Sequence, residues 1–115
     1  MIKDIEHILK IQEKENYITV PTEKIIGHLE SVIIENLNKE QSISGRVRIS
    51  NRDIIILDMK RAREGIFPIR LQPMFPDAEG LFTFNADKIA LNDILIIEYF
   101  APQNQNIKIT IRYDG

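Results

Sequence analysis

Apolar residues recur through the first third of the chain at three- and four-residue steps. Ile2, Ile5, Ile8 and Leu9, with Gln12 continuing the spacing, predict a short amphipathic helix over about residues 2–14. Asn16 to Pro21 reads as an extended connector, because the residue before a proline is pushed away from helical angles. A longer helix is predicted next. Thr22 stands as its N-cap with Glu23 in the first turn, and Ile25, Ile26, Leu29, Val32, Ile33 and Leu37 repeat at helical spacing. Gly27 and Glu35 fall outside that stripe, and Ile34 sits on its polar side.

Beyond Gly45 the period changes to two. Arg46-Val47-Arg48-Ile49 alternates strictly, which places both arginines on one face of a strand and both aliphatics on the other. Ser50 to Asp53 carries turn residues, and Asp53 to Lys60 returns as a second strand. Ile66 to Gln72 predicts a third strand, at an edge or bulge because of Pro68. Leu81 to Phe84 is a short strand, and Asn85 to Asp93 includes a helical turn. Ile94–Phe100 and Ile107–Tyr113 are expected to pair as a hairpin. The expected fold is therefore one α+β domain over residues 1–115, helical to about residue 41 and strand-rich over about 46–113. Two N-terminal helices would pack on a mostly antiparallel sheet of five or six strands, or on the same strands curled into a partly closed barrel.

Composition narrows the function classes. With 43% hydrophobic and 28% charged residues, the chain is of ordinary globular make-up. It has no cysteine, which removes disulfide scaffolds, cysteine–zinc sites and thiol catalysis. The longest apolar runs are four residues, Ile54–Leu57 and Ile94–Ile97, far short of a membrane-spanning helix, so no membrane partner is expected. The start of the chain alternates charge with isoleucine and shows no signal-peptide h-region, so a cytoplasmic location is expected. Net charge is −2 and unevenly spread. Residues 1–41 carry five basic and eight acidic side chains, residues 42–70 seven and three, and residues 71–115 three and six. The middle is thus basic between two acidic ends.

That basic segment is the most legible candidate site. Arg46 and Arg48 project from one strand face, and Lys60, Arg61 and Arg63 decorate the end of the next strand and its turn. If the two strands pair, these cations gather at one corner, able to steer an acidic protein surface or to engage phosphates. No aromatic residue is interleaved with them in sequence, which weighs against base stacking. A second candidate is the Pro73-Met74-Phe75-Pro76 loop, where Met74 and Phe75 form a stiff apolar tip suited to a partner's pocket.

Catalytic signals are sparse. No GxSxG, Gly-rich phosphate loop, HxH or HExxH occurs, so neither a cofactor nor a metal is expected. The leading expectation is a non-catalytic interaction or assembly module that binds a protein through the basic corner and the apolar tip. A nucleic-acid binder using the same corner is the alternative, and a small hydrolase or isomerase with Glu98 or His28 as acid–base is the second. A homo-oligomer could form through the edge of the last strand or through Ile34.

Overall fold

The structure is a computed structural model that describes residues 1–12, 15–38, 45–51, 54–58, 69–71, 81–101 and 105–115. The described chain is all β. Its nine strands are β1 (Ile2–Lys10), β2 (Tyr17–Pro21), β3 (Ile25–Asn36), β4 (Arg46–Asn51), β5 (Ile54–Asp58), β6 (Ile69–Leu71), β7 (Leu81–Asp93), β8 (Ile96–Phe100) and β9 (Asn106–Asp114). They form two antiparallel sheets, ordered β1-β9-β3-β7-β6 and β2-β8-β4-β5. One buried cluster draws side chains from both, including Leu29, Val32, Ile34, Phe84, Ile109 and Ile111 from the five-stranded sheet and Val47, Ile49, Ile97 and Tyr99 from the four-stranded sheet. The core is the layer between them.

The two N-terminal helices are overturned, and with them the α+β class. In β1 the inward residues are the odd ones, Ile5, His7 and Leu9, while Ile2 and Ile8 face solvent. The helical spacing of the isoleucines therefore mixed two faces of a strand. In β3 the cause is a bulge. Glu30 has no counterpart on β9, because Leu29 faces Tyr113 and Ser31 faces Arg112. The inward set is Ile25, Gly27 and Leu29 before it, and Val32, Ile34 and Asn36 after it. A two-residue period that slips once at residue 30 places buried residues at 25, 29, 32 and 36, the steps of four and three that also mark a helix. The composition of the segment favours the strand, since Ile25, Ile26, Val32, Ile33 and Ile34 are β-branched and stiff at χ1.

The same slip appears on β7. One residue of β3, Glu30, stands opposite three of β7, Ala86 to Lys88, and the inward residues pass from Phe82 and Phe84 to Ile89 and Leu91. The helical turn expected over Asn85 to Asp93 is instead the second half of one 13-residue strand. Ile34, expected on a polar face, is fully buried and is no oligomer contact. Thr22 caps no helix, yet its side chain performs related chemistry. Its hydroxyl accepts the Leu95 N–H at 2.9 Å while its own N–H donates to the Leu95 carbonyl at 2.8 Å, joining the β2–β3 and β7–β8 connections.

The expected hairpin of the last two strands is also absent. β8 lies in the four-stranded sheet between β2 and β4, and β9 lies in the other, between β1 and β3. β9 is thus interior, and strand addition to it is ruled out. β4 and β5 do pair, with Arg48 opposite Asp58.

Gly27 is a fixed point of this arrangement. Its φ of +149° lies where side chains other than glycine are strained, and an added Cβ would collide with the Asp114 carbonyl. Gly27→Ala is expected to destabilise the chain by at least about 1–3 kcal/mol, the usual cost of a strained backbone, before the clash is counted. Urea unfolding measures it; a loss under about half a kcal/mol would contradict this backbone path.

Candidate functional site

The outer face of the four-stranded sheet is built by alternation that runs unbroken along β8 and along β4 as far as Ile49. Val47, Ile49, Ile97 and Tyr99 point into the core, so Arg46, Arg48, Glu98 and Phe100 point out. Register then decides who meets whom. Arg46 is opposite Phe100 and Arg48 opposite Glu98 across β4 and β8, while Tyr17 is opposite Phe100 across β2 and β8. On the other side of β4, Asp58 stands opposite Arg48.

These pairings produce two arginine–carboxylate forks. Arg48 donates Nε to Glu98 Oε1 at 2.9 Å and Nη2 to Oε2 at 2.8 Å, and the Tyr17 hydroxyl donates to the same Oε2 at 3.2 Å. Arg46 donates Nε to Asp58 Oδ1 at 2.8 Å and Nη2 to Oδ2. Both guanidinium carbons lie 5.8 Å from the centre of the Phe100 ring, a cation–π distance, and the Tyr17 ring packs on Phe100 at 4.7 Å with a 40° tilt. The result is a contiguous cluster of two aromatic rings, two guanidinium groups and two carboxylates, the Asp58 carboxylate lying beneath the others. The Arg48 hydrogen bonds, with the Tyr17 hydroxyl adding to them, hold the Glu98 carboxyl below its ordinary range. The forks likewise keep both arginines charged.

This geometry changes how the candidate residues read. Arg46 and Arg48 share a face as the alternation implied, but each is already neutralised by a carboxylate. Lys60, Arg61, Arg63, Met74 and Phe75 lie outside the described residues. The aromatic partners missing from the local sequence are present in space, brought by β2 and β8. Their signal was Tyr17 and Phe100 at the same phase of their strands as Thr19 and Glu98, legible only once pairing is known. Glu98, the acid–base candidate, is ion-paired and ionised rather than buried alone. His28 is exposed on the outer face of the other sheet, opposite Ala90, so the two do not converge. His7 faces inward with its Nε2 buried and unpartnered. Among the described residues no group of three or more His, Asp or Glu side chains could hold a metal.

Beneath this face lies the Tyr99 phenol. It is buried and donates to Gln105 Oε1, and burial pushes its pKa up. Because the folded value is raised, the neutral phenol's stabilising effect is complete below the unfolded value of about 10 and lost as pH rises above it. Alkaline titration followed by ultraviolet absorbance should therefore show one tyrosine ionising only as the chain unfolds. Ionisation of the Tyr99 phenol near its unfolded value in folded protein would contradict its burial.

The forks differ in depth. The Asp58 side chain is 2% exposed against 16% for Glu98. Arg46→Ala, which removes both hydrogen bonds of the deeper fork, should cost more than Arg48→Ala, by about 1 kcal/mol. Urea unfolding of the two variants measures the difference, and the reverse order would contradict it. With its folded pKa depressed, Glu98 stabilises the chain above its unfolded value of about 4.3. That stabilisation is lost as pH falls through the folded value, so Glu98→Gln should flatten the acid side of the stability profile.

No known protein family and no curated protein matches this chain. Among solved structures, the chain is similar to FlhE at 10% identity and a TM-score of 0.44, over 99% of this chain and 98% of that one. It is also similar to a chain of the Aeromonas sobria serine protease–chaperone (ORF2) complex, at 8% identity and a TM-score of 0.43 over 100% of this chain and 28% of that one. The same organism's serine protease gives 8% identity and a TM-score of 0.42 over 99% and 27%. In the latter two cases this chain spans little more than a quarter of its counterpart. Likenesses of this size assign the chain neither a family nor an activity.

Proposed function

We propose that this chain is a non-catalytic interaction module that binds a protein partner through the outer face of its four-stranded sheet, with Tyr17, Phe100, Arg46 and Arg48 at the centre. The observation that carries the reading is the ordered stack of Tyr17 and Phe100 with the two guanidinium groups over the Phe100 ring. Tyrosine and arginine are among the residues on which binding energy at protein interfaces concentrates. Here both arginines are held by carboxylates and the rings by each other, so little side-chain freedom remains to be lost on binding.

The charge balance favours protein over phosphate. Arg46, Arg48, Asp58 and Glu98 sum to zero, and a neutralised guanidinium offers little to a phosphate backbone, whose capture depends on uncompensated cations. The Met74 and Phe75 tip stays in the proposal on its sequence alone, as an added apolar anchor.

Capture from a native lysate of the producing cells, with the purified chain immobilised, tests the reading. A stoichiometric protein should be retained in high salt. Its affinity should fall tenfold or more, roughly 1.4 kcal/mol, for Tyr17→Ala and for Phe100→Ala, and stay unchanged for His28→Ala on the other sheet. Circular dichroism checks that each variant is folded. Nucleic acid as the sole retained species, or retention indifferent to Tyr17 and Phe100, would overturn the proposal.

A further inference from the structure

The five-stranded sheet ends in a long edge. β1 runs nine residues, pairs with β9 on one side, and has no strand on its other side among the described residues. The backbone groups facing that side can be identified. Gly115 N–H donates to the Met1 carbonyl and Ile11 N–H to the Gln105 carbonyl, so the odd residues of this segment bond toward β9 and its continuation. Hydrogen-bonded pairs alternate along an antiparallel ladder. Ile2, Asp4, Glu6, Ile8 and Lys10 therefore direct their N–H and C=O groups to the free edge, and their side chains lie on the solvent face. Among them Ile8 is 57% exposed, a large apolar side chain on an open edge.

We infer that β1 is a self-association edge, on which a second copy of this chain docks its own β1 antiparallel about a two-fold axis at Ile8. The charges on the strand choose this occupant and this register. A two-fold perpendicular to the sheet keeps core-facing residues core-facing, so even residues meet even ones. Centred on Ile5, the pairing sets Asp4 against Glu6 twice; centred on Glu6, it sets the two Glu6 side chains against each other. Centred on His7, it leaves Glu6 facing the aliphatic Ile8, and its one opposite-charge pairing sets against Lys10 an Asp4 that is already forked to Arg112. Centred on Ile8, it sets Glu6 against Lys10 on both sides of the axis and closes Ile8 on Ile8. On the core-facing side Ile5 then meets Ile11 of the second copy and His7 meets Leu9. The Asp4–Arg112 pair within each copy, at 2.9 and 3.1 Å, stays intact. Two five-stranded sheets would join into one continuous sheet. This surface belongs to the other sheet from the proposed partner site, so either can fail without the other.

The absence of cysteine makes a direct test available. Directly opposite residues of a hydrogen-bonded pair have Cα atoms about 5.5 Å apart, inside the disulfide window of about 4.4–6.8 Å. Ile8→Cys should crosslink to a covalent dimer under mild oxidation. Ile2→Cys should not, because the two Ile2 positions would lie roughly 40 Å apart at about 3.4 Å per residue. Light scattering should show the wild type as a concentration-dependent dimer. Glu6→Lys should weaken the dimer by tenfold or more, and adding Lys10→Glu should restore it. A monomer at all concentrations, equal crosslinking at positions 2 and 8, or a charge swap that fails to restore dimerisation would each overturn the inference.

Discussion

The arrangement of the five-stranded sheet depends on one change of phase. β3 lies at its centre, bonded to β9 on one side and β7 on the other, and its inward residues switch from odd to even at Glu30. A strand of constant phase could not bury both of its apolar halves. Keeping Ile25 and Leu29 inside would turn Val32 and Ile34 to solvent, at about 1.5–3 kcal/mol each. That loss is a large share of the 5–15 kcal/mol by which domains are stable. β7 changes phase at the same level, so Phe84 and Leu91 stay in the core alongside their β3 neighbours. β9 keeps one phase throughout and carries the extra residue of β3 as a bulge. Gly27 completes the fit by letting β3 approach the end of β9 closely.

The four-stranded sheet is the opposite case. β2 and β8 alternate without interruption, and the β4–β5 ladder shifts register only beyond Ile49, past the two arginines. Its outer face is therefore regular where Tyr17, Phe100, Arg46 and Arg48 lie, and side chains from three strands fall into register across it. Order in this face comes from pairing rather than from burial. Each guanidinium is fixed by two hydrogen bonds to a carboxylate and by the Phe100 ring. A surface already ordered in this way can meet a partner with little reorganisation.

How much of this was legible in the sequence divides along the same line. Arg46 to Ile49 could be read because a strand of constant phase shows its faces directly, and the shared face of the two arginines followed. β1, β3 and β7 could not be read by period. In β3 one slip of a two-residue repeat imitates the spacing of a helix; in β7 the slip breaks the repeat after Phe84; in β1 residues of both faces are isoleucine. The β-branched content of residues 25–36 was the signal that pointed to a strand. Partners were the least legible feature. The chain passes between the sheets at most of its connections, so strands adjacent in sequence, such as β8 and β9, do not pair. The meeting of Arg48 with Glu98, 50 residues away, and of Tyr17 with Phe100 follows from that long-range register alone.

The most direct test of this account is the backbone conformation of residues 22–37 in solution, by nuclear magnetic resonance. Strand-like secondary shifts are expected over Ile25–Asn36, with cross-strand contacts from Val32 to both Ile111 and Phe84 and a single irregularity at Glu30. Continuous helical shifts from Thr22 to Leu37 would contradict the phase change, the central position of β3 and the sheet built around it.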